Sequence, residues 1–289
     1  MKNLLLVALS FLLGFAHSAT GQTVRSVRLT TVDDVGIAAA YYPVDGKSVP
    51  AVVLIHSFAR NRDEWNAFAV LLQRNGIAAL TFDLRWHGES TRRVTAAGPQ
   101  LVDQRNFTPR DFNDMLLDVN TAVYWLGSQQ GINPRRIAVV GSSVGANIAL
   151  RYALFNEDLA ALMLISPGIV YKGLRTDDAM GKLGPLPLRM VVSRNDAFAF
   201  ESVKRLEAIR QEIGHQADTN ELIVCTGNLH GTDMLKGVKD LTPTLLNWLR
   251  HVLLGVPLEQ IEPAAPPPAS PPASAPQPPA AKTPTKPAR

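Results

Sequence analysis

Six short apolar runs alternate with longer amphipathic stretches through the middle of the chain. The runs are Ala51–Ile55, Ile77–Phe82, Ile137–Val140, Ala161–Ile165, Leu188–Val192 and Glu221–Val224. The stretches between and after them are Asp63–Asn75, Pro109–Gln130, Val144–Phe155, Phe200–Ile213 and Met234–Leu254. Unbroken aliphatic runs are what strands look like when both faces are buried, and the amphipathic stretches have the length and period of covering helices. The pattern predicts an α/β fold: a mostly parallel, doubly wound sheet with helices on both faces. Asp63 and Asp111 are expected helix starts, and Asn75-Gly76 and Gly131 expected stops. Val24–Thr31 and Ile37–Tyr42 have no helix between them, which predicts an antiparallel hairpin at one edge. In such a sheet ligands bind beyond the carboxyl ends of the strands, so chemistry is sought just after each run.

The two ends of the chain differ from this middle. Met1-Lys2, an apolar run from Leu4 to Ala16 and the small residues Ser18 to Gly21 have the three parts of a secretory signal peptide, expected over residues 1–21. The run is short for a membrane span, so export to the periplasm or medium is expected, with no stable span after cleavage. Eleven of the 27 residues from Pro263 onward are proline. That composition offers too few apolar side chains to offset ordering entropy, and a disordered tail is expected over 257–289. It is either a solvated tail or a spacer that contacts the envelope. The formal charge of +4 reduces to about zero once Lys2, Lys282, Lys286 and Arg289 are set aside, so nothing favours a nucleic-acid partner. The remaining domain, 22–256, is long enough for one well-buried core. Cys225 is the single cysteine. It excludes an intrachain disulfide and a cysteine-based zinc site, and its apolar neighbours make it a core residue.

Chemistry concentrates at Gly141-Ser142-Ser143-Val144-Gly145, directly after the apolar run Ile137–Val140 and before the helical Ala146–Leu150. A serine between small residues at a strand-to-helix turn is a nucleophile elbow. Side chains at the glycine positions would meet neighbouring backbone, and the helix start offers N–H groups where negative charge develops. The glycine spacing selects Ser143 over Ser142. A serine at neutral pH needs a base. His230 follows the last strand, where a base can meet Ser143; His215 lies in a polar stretch and His251 within the last helix. A carboxylate must fix the imidazole. Asp196 follows Leu188–Val192 directly, ahead of Asp158, Asp177, Asp178 and Asp218, although an aspartate there can also serve only as a helix cap.

The order Ser143, Asp196, His230 resembles the α/β-hydrolase superfamily over about Val24 to Leu254, and most closely its dienelactone-hydrolase-like and esterase or S33-peptidase-like members. His56-Ser57-Phe58-Ala59 resembles that family's His-Gly-x-Gly segment, which implies an oxyanion hole of the Phe58 and Val144 backbone N–H groups. Asp83-Leu84-Arg85-Trp86-His87-Gly88-Glu89-Ser90 resembles its Asp-x-Arg-Gly-His-Gly-x-Ser loop, which implies a structural role for His87. Ser57, Ala59 and Trp86 stand where the family has glycine, and a side chain there narrows the accessible backbone. Phe58 and Trp86 are either a wall of the binding site or core residues. The resemblance implies a serine hydrolase for a small or moderate ester. An aminoacyl-amide or peptide hydrolase and an exported binding protein on the same fold are the alternatives. The sequence shows no metal-ligand cluster and no phosphate-binding loop, so no cofactor is expected. The short interval between Ile165 and Leu188 implies a small or absent lid.

Overall fold

The computed structural model describes residues 23–101, 107–214 and 221–258. The expected signal peptide, the tail from residue 259 onward, His215 and Asp218 lie outside the described residues. The chain begins with strands β1 (Arg25–Thr30), β2 (Val35–Tyr42) and β3 (Val49–Ile55), a 3₁₀ turn (Arg62–Trp65) and helix α1 (Asn66–Arg74). Next come β4 (Ala78–Phe82), the short hairpin β5 (Arg92–Thr95) and β6 (Gly98–Leu101), and α2 (Pro109–Gly127). β7 (Ile132–Ser142), α3 (Val144–Ala153) and β8 (Ala161–Ile165) follow, then the two-residue strands β9 (Val170–Tyr171) and β10 (Leu174–Arg175) and helix α4 (Asp177–Lys182). The described chain closes with β11 (Leu188–Ser193), α5 (Ala197–Glu212), β12 (Glu221–Cys225), α6 (Asp233–Gly237) and α7 (Leu241–Leu254).

Ten strands form one sheet in the order β12-β11-β8-β7-β3-β4-β2-β5-β6, with β1 paired to β2. Pairing is parallel from β12 through β4 and antiparallel for β1, β2, β5 and β6. This is the mostly parallel, helix-covered sheet that the alternating pattern predicts. β3 is central, flanked by β4 on one side and β7 on the other. The connections diverge there, and in sheets of this kind ligands bind beyond the strand ends at such a point. Along β3, Val53 and Ile55 join one core cluster, with Met115 and Val119 of α2 and Ile148 of α3. Val52 and Leu54 join the opposite one, with Phe68 and Leu72 of α1 and Leu245 and Trp248 of α7. Alternate residues thus feed two cores, which is why the run shows no polar alternation. Each fully buried aliphatic side chain contributes about 1.5–3 kcal/mol. Cys225 is buried and free.

Several boundaries differ from the sequence expectations, each for a local reason. The first helical turn is capped by Asn61, whose side chain accepts from the Asp63 N–H. Thr108, not Asp111, caps α2; Asp111 sits three residues in and returns a bond to the Thr108 N–H, a capping box. α2 stops at Gly127, and Gly131 (φ 86°) instead turns the chain into β7 beneath the Gly46 carbonyl. The stretch Met234–Leu254 is broken into α6 and α7 by Val238, which is extended, and Asp240, which is left-handed. β5–β6 extends the sheet beyond the first hairpin, a strand pair that the charged Arg92-Arg93 did not suggest. The interval Gly168–Pro187, to which the sequence pattern assigns no strand or helix, holds β9, β10 and α4.

A buried ion cluster ties the loop after β4 to both its neighbours. The Arg85 backbone N–H and Nε donate to Asp118 of α2 at 2.8 Å each, and its terminal nitrogens donate to Asp33 at 2.8 and 3.0 Å. Arg85 and Asp118 are both buried. Removing Asp118 leaves the buried Arg85 Nε and backbone N–H without an acceptor and only the partly exposed Asp33 to balance the guanidinium. Asp118→Ala is therefore expected to lower the unfolding free energy by about 3–5 kcal/mol in a urea titration. A loss under ~1 kcal/mol would show that the cluster is dispensable.

Candidate active site

β7 delivers the chain into a turn that only small residues permit. Ser143 sits at φ 56°, ψ −121°, between the last strand residue and the first residue of α3. A Cβ on Gly141 would lie 2.2 Å from the Gly145 carbonyl oxygen. One on Gly145 would lie 2.6 Å from the carbonyl oxygens of both Ile55 and His56. The helix start is thus pressed against the end of β3. A left-handed backbone at a serine is a strained state that surrounding structure must impose.

The structure brings Ser143, His230 and Asp196 together. The Ser143 hydroxyl donates to His230 Nε2 at 2.8 Å, and His230 Nδ1 contacts Asp196 Oδ2 at 2.5 Å. An ionised carboxylate only accepts, so Nδ1 carries the proton and Nε2 is the basic nitrogen. Asp196 stands at the start of α5 but makes no side-chain cap there, so its carboxylate is committed to His230. The loops carrying the two are laced by Arg194 N–H to the Cys225 carbonyl (2.8 Å) and Asn195 N–H to the Gly227 carbonyl (3.0 Å). The alternatives lie elsewhere. Ser142 is buried and bonded to Ser57, Asp177 pairs with Arg175 and Arg205, Asp178 faces Arg151, Asp158 is exposed, and His251 contacts the Val256 carbonyl.

The N–H groups of Phe58 and Val144 have no hydrogen-bond acceptor among the described residues. Val144 opens α3, where a free N–H is inherent, and the Gly145 contact sets that helix start beside the loop after β3. The three glycine replacements have separate explanations. Ala59 (φ 59°) and Trp86 (φ 67°) adopt left-handed backbone in spite of their side chains. Ser57 does not, so the expected narrowing of its backbone does not arise, and its side chain is put to use. Its hydroxyl contacts Ser142 Oγ at 2.9 Å, and its N–H and hydroxyl donate to Glu64 Oε1 at 2.7 and 3.2 Å. The other Glu64 oxygen accepts from Thr232 at 3.0 Å. One carboxylate therefore ties the loop after β3 to the loop carrying His230. Burial pushes the Glu64 pKa up, against the opposing hydrogen bonds from Ser57 and Thr232. Glu64 and Thr232 were not singled out from sequence, because a glutamate in an amphipathic stretch looks like solvated surface.

Trp86 is buried in the core beneath the Arg93 guanidinium. Phe58 is half-buried and packs with Phe107, Phe112 and His87, with the Lys172 ammonium 4.7 Å above its ring. His87 Nδ1 bonds the Arg85 carbonyl at 3.0 Å, a loop-backbone contact. Gly88 leaves room for Asp83, which a Cβ would overlap at 2.2 Å. Tyr171, also missed from sequence because it lies in a stretch with no strand or helix pattern, packs edge-on against His230 with ring centres 6.4 Å apart.

His56 is fully buried. Its Nδ1–H donates to the Ser57 carbonyl at 2.8 Å, and its Nε2 accepts from the Leu84 N–H at 2.9 Å. Burial, then the neighbouring His87, lowers its pKa from 6.5 to about 3, against a smaller opposing effect of the Ser57 bond. Below its ordinary pKa the unfolded chain takes up a proton that folded His56 refuses. Stability therefore falls as the pH drops from 6.5 toward 3. His56→Gln is expected to flatten that slope in denaturation curves taken across this window; a slope equal to the parent's would contradict it.

Residues 50–200, just over half of the chain, match the alpha/beta hydrolase fold family. An uncharacterized protein of Mycobacterium tuberculosis is 31% identical over 144 residues, 50% of this chain and 45% of that one. The chain covers less than half the length of the curated relatives it matches. The Pyrococcus furiosus esterase Pf2001 superposes with a TM-score of 0.63 at 19% identity, covering 80% of this chain and 93% of the esterase. A dienelactone hydrolase of Anabaena variabilis gives 0.58 at 18% identity, covering 80% and 98%. At such identities the two structures speak for the fold alone. Through the sequence match and the sheet architecture together, the chain belongs to the alpha/beta hydrolase fold family.

Proposed function

We propose that the protein is a serine hydrolase that transfers the acyl group of a small or moderate ester to water. The observation that carries this reading is the unbroken hydrogen-bond chain from Ser143 through His230 to Asp196. As Ser143 Oγ bonds to the ester carbon, its proton passes to His230 Nε2 and the carbonyl π pair moves onto oxygen. The Phe58 and Val144 N–H groups receive that oxyanion, and donors aimed in advance at a developing charge are the largest single contribution in such sites. His230 then protonates the departing alcohol. Water, deprotonated by the same nitrogen, releases the acid and restores Ser143. Asp196 holds the imidazole in the required tautomer and stabilises its charged form.

The elements after β8 support a modest substrate. Between β8 and β11 stand only the short β9–β10 hairpin and the six-residue α4. The half-buried ring of Phe58 gives an acyl chain an apolar surface beside the proposed oxyanion donors. The proposal places the enzyme outside the cytoplasm, on the N-terminal sequence pattern alone. Ser143→Ala is expected to lower kcat on a short p-nitrophenyl ester by about 10⁴-fold or more. Activity at the parent's level would reject the assignment.

A further inference from the structure

The hairpin that follows β8 is too well anchored to be a passive connection. Its two central residues, Lys172 (φ 51°) and Gly173 (φ 84°), form the left-handed two-residue turn that suits tightly paired strands. Asn147, fully buried one turn into α3, grips both sides of it. Its Nδ2 donates to the Leu174 carbonyl and its Oδ1 accepts from the Gly168 N–H, each at 3.0 Å. Thr176 closes the far end on the Gly168 and Ile169 carbonyls at 2.7 and 3.2 Å. The helix that begins at the nucleophile thus also fixes this hairpin.

The anchoring holds the Tyr171 ring in one place. It lies 5.1 Å from the Phe198 ring and presses on Gly168, where a Cβ would come within 2.7 Å of it. Its edge meets the His230 imidazole at 87°, and its phenol lies within interaction range of Ser143. Burial and then the Asp196 charge push the phenol pKa up to about 12, so the group is an O–H donor at neutral pH.

We propose that Tyr171 is a catalytic residue that donates a hydrogen bond to the leaving-group oxygen; this rests on the serine-hydrolase reading above. In the resting site the Ser143 proton is given to His230 Nε2, so the Tyr171 O–H remains available to an incoming oxygen. When the Ser143 oxygen bonds to carbon, one of its lone pairs becomes the new C–O bond. The substrate carbonyl oxygen is taken by the Phe58 and Val144 N–H groups. The other oxygen on the tetrahedral carbon must face His230 Nε2, which protonates it, and Tyr171 packs against that imidazole. As the intermediate collapses, the carbon–alkoxy bond breaks and its electron pair stays on the departing oxygen. The carbonyl re-forms and the His230 proton is transferred. Tyr171 keeps its own proton and stabilises the charge that builds before transfer is complete.

Tyr171→Phe in the full chain removes only that hydroxyl. The test compares kcat/KM, which reports acylation, on two esters with the same acyl group: an ethyl ester and a p-nitrophenyl ester. The poor leaving group needs the hydrogen bond most, so the ethyl ester is expected to lose about tenfold or more. The p-nitrophenyl ester should lose clearly less, with thermal unfolding unchanged. Equal losses on both esters, or no loss on either, would overturn the proposal. Ser143→Ala, run alongside, separates the two levels. If it abolishes both activities, the Tyr171 result stands on its own. If it keeps the parent's rates, the serine-hydrolase reading fails and this inference fails with it.

Discussion

The contact between Gly145 and the end of β3 is the constraint on which the site depends. The carbonyl oxygens of Ile55 and His56 come so near that any side chain at Gly145 would overlap them. Because the helix start cannot retreat, the turn before it must be sharp, and Ser143 is held at a positive φ with its hydroxyl facing the strand ends. The same contact brings the first N–H of α3 beside the loop that carries Phe58. A single backbone approach therefore positions Ser143, the proposed nucleophile, and orders the proposed oxyanion donors. The cost of the strained serine, about 1–3 kcal/mol, is offset by the cores on both sheet faces.

Around that contact the chain substitutes side-chain hydrogen bonds for the backbone freedom that glycine would give. Ser57 reaches Ser142 and Glu64, and Glu64 reaches Thr232, two residues beyond His230. The loops after β3, β7 and β12 are linked in this way without any direct strand pairing between β12 and β7. Asn147 does the same above the site, joining α3 to the β9–β10 hairpin. The fixed distances between Ser143, His230 and Asp196 follow from these links as much as from the sheet.

Much of this was legible before any coordinates. The six aliphatic runs became β3, β4, β7, β8, β11 and β12, because burial on two faces leaves an unmistakable lack of alternation. Ser143, Asp196 and His230 were legible because each follows such a run directly, and the structure sets the three side chains side by side. What escaped were features that depend on partners distant in sequence. Glu64 carries no local sign that its carboxylate is turned inward. The β9 and β10 strands are two residues each, too short for any period, so Tyr171 had no pattern to betray it. Asp111 was misjudged as a cap because an aspartate serves equally well at the cap or three residues in, and Thr108 decides which.

The central claim is that the packing of α3 on β3, with His230 and Asp196 behind it, makes the Ser143 hydroxyl nucleophilic. Reaction of the purified protein with a fluorophosphonate, followed by peptide mass spectrometry, tests it most directly. The account predicts one stoichiometric phosphonyl adduct on Ser143. No adduct, or an adduct on Ser142 or another residue, would contradict it.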